Sequence, residues 1–298
     1  MAAELVTTET TQVGTEQTAP TGTKRRFLWM RNTKALTGLG ILAFFALIAA
    51  IGPWIAPYDP DERSSDLLQP PSWEHWMGTT HLGQDVMSQV ILGTRSVLLI
   101  AFVAGFLATF IGVVVGITAG YVGGFGDEGL SALSNVFLVI PQLPLIIIIA
   151  GMLPSAGGLT VAVVIAITGW AWGARVLRAQ TLSLRKRDFV EAARANGERT
   201  WRLILAEILP NLTGLLGVEL AVRVSSAVLR ISALSFLGLG ISQPTPDWGL
   251  MVQEAMGVVF TDPWFLLLPA IMLSTLIIGV NFMVDGFARA FGIASTEL

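Results

Sequence analysis

Long uncharged stretches constrain this chain more than any other feature. Residues 36–58, 97–126, 129–174 and 263–284 contain no Asp, Glu, Lys or Arg. A helix that crosses a bilayer needs about 20 mostly apolar residues. Charged residues make up only 13% of the chain, compared with about 25% in a soluble domain. The sequence therefore predicts a membrane protein.

The number of membrane spans follows from two further features. The stretch 129–174 has 46 residues and is interrupted by PSAGG at 154–158, so it predicts two helices joined by a tight turn. The run 212–240 is also apolar, although it contains Glu219, Arg223 and Arg230. Together these stretches predict an all-α polytopic protein with six transmembrane helices. Pro141 and Pro144 predict a kink in the third.

The positive charges predict the orientation of the chain. With the N-terminus inside, the segments 1–35, 120–130, 175–211 and 285–298 carry 14 of the 18 Lys and Arg residues. The opposite loops carry only Arg63 and Arg95, against nine acids. This distribution follows the positive-inside rule, so both termini are predicted to be cytoplasmic.

These features give a predicted domain plan. Residues 1–35 form a cytoplasmic tail that is first disordered and then basic, 36–56 the first transmembrane helix, and 57–96 an extracytoplasmic loop. The core domain, 97–284, contains five transmembrane helices and a cytoplasmic coupling loop at 175–211. Residues 285–298 form a cytoplasmic tail. An uncleaved first helix is favoured over a signal peptide, whose apolar region is shorter.

The charged stretch 188–212 interrupts the apolar runs on the predicted cytoplasmic side. Val190, Ala193, Gly197 and Trp201 share one face of a helix, and Asp188 is placed to cap its start. The pattern predicts one amphipathic helix, or two short ones separated at Gly197. Such a helix lies on the membrane surface, anchored by Trp201, or docks into a groove on a cytoplasmic partner.

The residues of this stretch resemble a known motif. Glu191, Ala192, Ala193, Gly197 and the later Leu-Pro at Pro210 resemble the EAA loop of membrane subunits of bacterial ATP-binding-cassette (ABC) importers. In that family the loop forms a coupling helix that sits in a cleft of the ATP-hydrolysing subunit. The resemblance therefore implies that this segment binds an ATPase subunit.

Four other segments narrow the resemblance. They are similar to segments of the C-type permease subunits of dipeptide and oligopeptide importers. Their sequences are PPSWEHWMGTTHLGQDVMSQVILGTRSVL, GWAWGARVLRAQTLSLRKRDFVEAARANG, LSFLGLGISQPTPDWG and NFMVDGFARAF. The resemblance implies a type I ABC importer permease fold in the bacterial cytoplasmic membrane. It also implies a homologous B-type subunit, two cytoplasmic ATPase subunits that bind ATP and Mg²⁺, and an extracytoplasmic substrate-binding protein.

Polar residues inside the spans are the candidates for a translocation path. Glu219 and Arg223 lie four residues apart, hence on one face of the fifth helix. Charges near the bilayer centre must face protein or a water-filled cavity. The two residues form either a neutralised structural pair or part of the path, where they would suit a peptide with oppositely charged termini. Arg230 and Gln142 are further candidates for the path.

The outer loop 240–257 is the candidate contact for the binding protein. It lies in a connection long enough to indicate a role beyond linking two helices. Asp247, Trp248 and Glu254 are its predicted contact residues. His75 and His81 are expected in a solvated loop rather than a metal site. Gly112, Gly116 and Gly120 predict tight helix packing.

Several functions are excluded or disfavoured by missing motifs. The chain has no cysteine and no Gly-x-x-x-x-Gly-Lys-Ser/Thr phosphate loop. It is therefore expected to bind no cofactor, to interact with lipid but not nucleic acid, and to catalyse no reaction. A membrane hydrolase lacks support, and a gradient-driven transporter would show an internal repeat. The resemblance implies that the complex imports short peptides, with nickel complexes, glutathione and haem as alternative cargoes.

Overall fold

The computed structural model describes residues 33–153 and 157–290, and the helices in these ranges are as follows. They are α1 Thr33–Ile55, α2 Val86–Val122, α3 Gly124–Val139, α4 Gln142–Gly151, α5 Gly158–Gly169, α6 Ala171–Leu184, α7 Asp188–Ala195, α8 Thr200–Arg202, α9 Thr213–Phe236, α10 Trp248–Ala255 and α11 Pro263–Ala290. A short π-helical turn (Leu203–Ile208) and a 3₁₀-helical turn (Leu209–Leu212) join α8 to α9, and we call them the turns before α9. The described residues contain no β-strand. Residues 1–32 of the predicted N-terminal tail lie outside them, and so do residues 154–156 of the predicted turn at 154–158.

Six spans account for the apolar helices. The helices α1, α2 and α11, and the continuous stretch from α8 to α9, are each long and apolar enough to cross a membrane. The pairs α3 with α4 and α5 with α6 pass the same test together, although they are bent by 86° and 46°. With each bent pair counted as one span, the described chain has the six spans predicted from the sequence.

The bend between α3 and α4 has a clear local cause. Pro141 has no N–H to donate and restricts the residue before it to extended backbone. Ile140 accordingly has φ −75° and ψ 124°. Pro144 lies in the first turn of α4, where a missing N–H is tolerated. The kink predicted from these prolines is therefore a complete break in the helix.

The long helix α2 lies at the centre of the fold and contacts α1, α5, α6 and α9. Its glycines permit these contacts. A Cβ at Gly116 would lie 2.4 Å from the carbonyl oxygen of Ala174 in α6, and a Cβ at Gly105 would lie 2.7 Å from Val224 in α9. These separations are too short for any side chain. The tight packing predicted from Gly112, Gly116 and Gly120 is confirmed, and it occurs within one subunit.

Three predicted boundaries differ from the helix ends. The helix α2 begins at Val86, so the predicted loop 57–96 ends in helix, because Asp85 caps the helix well before the uncharged stretch starts. The predicted coupling loop 175–211 begins inside α6, and the predicted tail 285–298 begins inside α11. In each case isolated charged residues are accommodated within a helix.

Candidate functional site

One buried side chain holds the 188–212 segment against the membrane helices. Val190 of α7 is 0% exposed and packs in an apolar cluster. The other buried members of that cluster are Ile117, Tyr121, Leu177, Leu203, Ile208 and Leu212. They belong to α2, α6 and the turns that lead into α9. Because a close-packed interior resists deformation, a movement of α7 is passed to these elements.

Two arginines add polar contacts to the same region. Arg185 donates from Nη1 to the carbonyl oxygens of Gly120 (3.0 Å) and Tyr121 (3.3 Å) at the C-terminal end of α2. A cation is favourable there because of the helix dipole. The guanidinium of Arg194 in α7 lies 5.7 Å from the centre of the Tyr121 ring, a cation–π contact. The segment is thus bound to the end of α2.

The opposite face of α7 is free for a partner in the described structure. Glu191, Ala192, Gly197 and Pro210 are exposed, and Ala193 is half-buried. Gly197 has φ +79°, and no atom lies within 4 Å of the position a Cβ would take. This left-handed conformation favours glycine. Of the two predicted arrangements, one amphipathic helix or two short ones separated at Gly197, the structure has the second.

Two details of the predicted segment are wrong. The helix α7 begins at Asp188 itself, with Arg187 at the N-cap position. Asp188 is therefore not the capping residue, although its carboxylate in the first turn is favoured by the helix dipole. Trp201 is 58% exposed and does not share the buried stripe of Val190, because the turn at Gly197 interrupts the helical periodicity.

A buried ion pair lies in the middle of α9. Arg223 Nε is 2.5 Å from Glu219 Oε1, and the side chains are 8% and 2% exposed. Arg223 Nη1 also donates to the carbonyl oxygen of Gly169 (3.1 Å), at the bend between α5 and α6. Its guanidinium lies 5.3 Å from the centre of the Trp172 ring. The guanidinium thus connects the fifth span to the bend in the fourth.

Two glycines and a glutamine complete this midspan cluster, which we define as Gln142, Gly169, Trp172, Gly173, Glu219 and Arg223. A Cβ at Gly173 would lie 2.2 Å from Glu219 Oε1, and a Cβ at Gly169 would lie 2.9 Å from Gln142 Nε2. The Gln142 Nε2 atom is buried and has no hydrogen-bond partner among the described residues. Gln142 is the first residue of α4, beside the break in the third span, and Gly169 lies at the bend in the fourth span. Both breaks therefore lie close to the ion pair of the fifth span.

The predicted path residues therefore divide into two groups. Gln142, Glu219 and Arg223 belong to the midspan cluster. Arg230 lies seven residues beyond Arg223 on α9, about 10 Å along the helix axis. It is half-buried and forms no ion pair with any described residue.

Asp85 organises the loop before α2. Its Oδ2 accepts hydrogen bonds from the backbone N–H and the hydroxyl of Ser88, both at 2.7 Å. Its Oδ1 lies 3.0 Å from His75 Nδ1, and the His75 ring packs against Tyr58. His75 is only 8% exposed, so its predicted place in a solvated loop is wrong. The Asp85 carboxylate offsets the cost of burying the imidazole. His81 is exposed, as predicted.

Most of the predicted contact residues for a binding protein are buried. Trp248 is 0% exposed, and its Nε1 donates to the carbonyl oxygen of Val90 (3.0 Å). Asp247 is 1% exposed and caps α10 by accepting a backbone N–H through Oδ1. Neither side chain is accessible to a binding protein, so the prediction that Trp248 and Asp247 contact one is wrong. Glu254 is partly exposed and accepts a hydrogen bond from Gln243 (2.7 Å).

The exposed aromatic side chains on the same side were not predicted. Trp73 is 98% exposed and Trp76 is 62% exposed, both in the loop before α2. Tryptophan is enriched among residues that dominate protein–protein binding. A tryptophan in an irregular loop belongs to no periodic pattern, so these two could not be distinguished from buried Trp248 by sequence alone.

Burial raises the pKa of Asp247 from 3.8 to about 6. The folded chain then binds this proton more tightly than the unfolded chain does. The resulting stabilisation is complete below about pH 4 and is lost as the pH rises through about 6. At neutral pH the ionised carboxylate costs about 3 kcal/mol of stability. Asp247→Asn keeps an oxygen that can cap α10 and should remove this cost.

The expected result is a higher melting temperature for Asp247→Asn than for the natural sequence at about pH 7.5, and no difference at about pH 4. Thermal unfolding of the detergent-purified chain measures this. Asp66→Asn is the matched control, because Asp66 is exposed, and it should change neither value. An Asp247→Asn gain of equal size at both pH values would show that ionisation of Asp247 is not the cause.

Other residues of the site were also missed from the sequence. Gly169 and Gly173 are four residues apart, a spacing that indicates close helix approach and could have located the bend. Trp172 lies within one uncharged stretch, and Tyr121 lies within another. No pattern in those stretches distinguishes a residue of a polar cluster from one that faces lipid.

Comparison with known proteins identifies the family. A family described as the binding-protein-dependent transport system inner membrane component matches residues 112–292. A second family, described as the N-terminal transmembrane domain of oligopeptide transport permease C, matches residues 25–71. Together the two matches include α1, the C-terminal end of α2 from residue 112, the 188–212 segment and the midspan cluster.

Individual relatives agree with the family matches. The chain is 34% identical to a dipeptide transport system permease protein of Haemophilus influenzae, over 89% of this chain and 92% of the relative. It is also 34% identical to an oligopeptide transport system permease protein of Mycobacterium tuberculosis, over 92% and 94%. A di/tripeptide permease of Pseudomonas aeruginosa is 34% identical, over 87% and 88%.

A solved structure supports the fold. The chain matches one from a structure of inward-facing conformations of the MetNI methionine ABC transporter, with a TM-score of 0.57 and 21% identity. The match covers 69% of this chain and 97% of that chain. The fold is thus that of a type I ABC importer permease. The chain belongs to the binding-protein-dependent transport permeases and is a multi-pass inner-membrane component of an ABC importer.

Proposed function

We propose that this chain is the C-type permease subunit of an ATP-driven importer of short peptides. It pairs with a homologous B-type permease, two cytoplasmic ATPase subunits and an extracytoplasmic substrate-binding protein. The ATPase subunits bind ATP and Mg²⁺, and this chain binds neither. The relatives that match along most of its length are named dipeptide, oligopeptide and di/tripeptide permeases.

The geometry of α7 is the observation that carries the proposal. Its buried residue Val190 contacts the cluster formed by α2, α6 and the turns before α9, while Glu191 and Ala192 on the other face are exposed. A helix held on one side and free on the other can transmit force from a partner. A helix that rested on lipid would bury its apolar face in the membrane interface, whereas Val190 of α7 is buried against other elements of this chain.

In the proposed mechanism, closure of the two ATPase subunits displaces α7 and the helices attached to it. The movement changes which side of the membrane the cavity faces. ATP and loaded binding protein can drive the change only if each binds the two conformations with different affinities. Both termini of the chain lie in the cytoplasm, in keeping with the distribution of Lys and Arg.

The midspan cluster is the proposed point of contact with cargo. Charged groups in transmembrane helices are rare and mark transport pathways, and here an ion pair meets two broken spans. Such breaks are where membrane transporters build midplane sites. A short peptide carries an ammonium and a carboxylate. It can insert between Glu219 and Arg223 and leave both charges paired.

The outer surface of the proposed complex docks the binding protein. The loop before α2 exposes Trp73 and Trp76 and carries the acids Asp59, Asp61, Glu62, Asp66 and Glu74 against one base, Arg63. This combination suits a partner with apolar and basic surface residues. Glu254, which stays partly exposed, belongs to the same outer side.

Native mass spectrometry of the complex purified in mild detergent tests the ATPase contact. We expect one copy of this chain with a related permease and two ATPase chains, and loss of the ATPase chains in Gly197→Asp. Gly197→Asn separates backbone strain from the contact, because asparagine tolerates the left-handed conformation. Gly257→Asp is the matched control, since Gly257 is exposed on the predicted outer side.

The result that would overturn the proposal is a monomer or homo-oligomer without any ATPase chain. A complex that keeps its ATPase chains in Gly197→Asp would instead exclude this turn as the contact. Uptake in proteoliposomes distinguishes the energy source: ATP-driven import is inhibited by vanadate, whereas gradient-driven transport is inhibited by an uncoupler.

A further inference from the structure

A cleft lies between α2, α3 and α6, away from the midspan cluster. Its volume is about 140 Å³. Small residues form its floor, namely Gly116 and Ala119 of α2 and Ala174 of α6, and Ser131, Ser134 and Asn135 of α3 supply polar groups. Two arginines of α6, Arg175 and Arg178, complete the lining. The cleft exists because these small side chains leave space between closely packed helices.

The two arginines differ in how they are neutralised. Arg178 forms two contacts with the Asp127 carboxylate, at 2.5 and 2.7 Å, so its charge is balanced within the chain. Arg175 donates one hydrogen bond, to Asn135 Oδ1 at 3.3 Å. No carboxylate of the described residues lies within 4.0 Å of it. The cleft therefore carries one positive charge without an internal counter-ion.

The position of Arg175 along its span matches the depth of a lipid headgroup. It is 17 residues from Gly158, where the span of α5 and α6 begins on the predicted outer side. At about 1.5 Å per residue this is about 25 Å, close to the inner boundary of a hydrocarbon core about 30 Å thick. An arginine at this depth extends its guanidinium toward the phosphates. The side chain is exposed and free to do so.

The cleft also has an apolar part. Val115 of α2 and Leu130 of α3 belong to its lining, and both are partly exposed. A free inorganic anion gains nothing from such a surface, whereas a phospholipid places its acyl chains there. Basic pockets between transmembrane helices on the cytoplasmic side bind anionic lipid headgroups.

We propose that this cleft binds the phosphate of an anionic phospholipid of the inner leaflet, with Arg175 as the charged ligand and the polar groups of α3 beside it. This assignment does not depend on the cargo or on the ATPase contact. Arg178 holds α3 against α6 through Asp127 and so keeps the cleft open.

Lipid retention by the purified complex tests the proposal. The complex is delipidated and titrated in native mass spectrometry with phosphatidylglycerol or phosphatidylcholine. We expect phosphatidylglycerol to bind more tightly, and Arg175→Gln to weaken its binding about fivefold. Arg175→Lys keeps the charge and should bind better than Arg175→Gln. Arg63→Gln, at an exposed arginine of the predicted outer loop, should have no effect. Asn135→Leu gives a second variant that leaves Arg175 intact, and it should also weaken binding.

Three results would overturn the proposal. Equal binding of phosphatidylglycerol by the natural chain, Arg175→Gln and Asn135→Leu would show that the cleft holds no lipid headgroup. Displacement of the lipid by inorganic phosphate would indicate a site for a free anion. Loss of the related permease chain from the Arg175→Gln complex would show that the cleft is a subunit interface.

Discussion

Arg223→Met is expected to lower the stability of the chain by about 3–5 kcal/mol and to abolish uptake. Methionine approximates the length of the apolar part of arginine, so the packing changes little. The substitution leaves Glu219, only 2% exposed, without its partner. Removing one member of a buried ion pair is strongly destabilising, because it leaves an uncompensated charge. Melting of the purified chain and peptide uptake by the reconstituted complex measure the two effects.

A double variant separates the structural role of the pair from a role in transport. Glu219→Gln with Arg223→Met removes both charges, so most of the lost stability should return. If the midspan cluster contacts cargo, uptake should remain at least about tenfold below that of the natural complex, because charged peptide termini lose their partners. Arg230→Met is the matched control for the stability measurement alone, since Arg230 lies on the same helix without an ion pair among the described residues.

Two outcomes would contradict this account. A single variant Arg223→Met as stable as the double variant would show that Glu219 and Arg223 are not energetically coupled. Normal uptake by the double variant would make the pair a purely structural feature of α9. The same comparison with peptides blocked at one terminus, together with the affinity of the isolated binding protein for each peptide, would separate selection at the cluster from selection outside the membrane.

The general architecture of the chain could be predicted because its causes are local. Uncharged stretches give the spans, Pro141 gives the break between α3 and α4, and Gly197 gives the turn between α7 and α8. Glycines four residues apart gave the close packing of α2. Each of these features acts through the residue itself or its immediate neighbours, so each could be predicted from the sequence of this chain alone.

The remaining features depend on contacts between distant parts of the chain. The bend between α5 and α6 contains no proline; there the carbonyl of Gly169 accepts a hydrogen bond from Arg223 of another span. Trp248 and Trp73 have the same side chain, yet one is buried against Val90 and the other is 98% exposed. The local sequence pattern cannot distinguish a buried tryptophan from an exposed one, because burial depends on which distant parts of the chain pack against the side chain.

The second large effect concerns the attachment of α7. Val190→Asp places a carboxylate in the apolar cluster between α2, α6 and the turns before α9. Arg194, four residues further along α7, is exposed and already lies over the Tyr121 ring. Burial of an unpaired charge costs several kcal/mol, and α7 can avoid that cost only by detaching. We expect the melting temperature to fall and uptake to be lost.

Ala192→Asp introduces the same charge two residues away, on the exposed face of α7. It should change stability by no more than about 0.5 kcal/mol, because its carboxylate stays in water in the isolated chain. Uptake should nevertheless fall at least about tenfold, since burying that carboxylate against an ATPase subunit costs binding energy. Native mass spectrometry should show weakened retention of the ATPase chains.

The contrast between the two variants tests the proposed coupling more directly than either does alone. Val190→Asp is expected to act through stability, whereas Ala192→Asp is expected to act through binding at unchanged stability. A reduced melting temperature for Ala192→Asp would mean that the exposed face is packed within this chain. Full uptake by Ala192→Asp would mean that the ATPase subunit contacts another surface, and α7 would then be an element that braces α2 and α6 without receiving force from a partner.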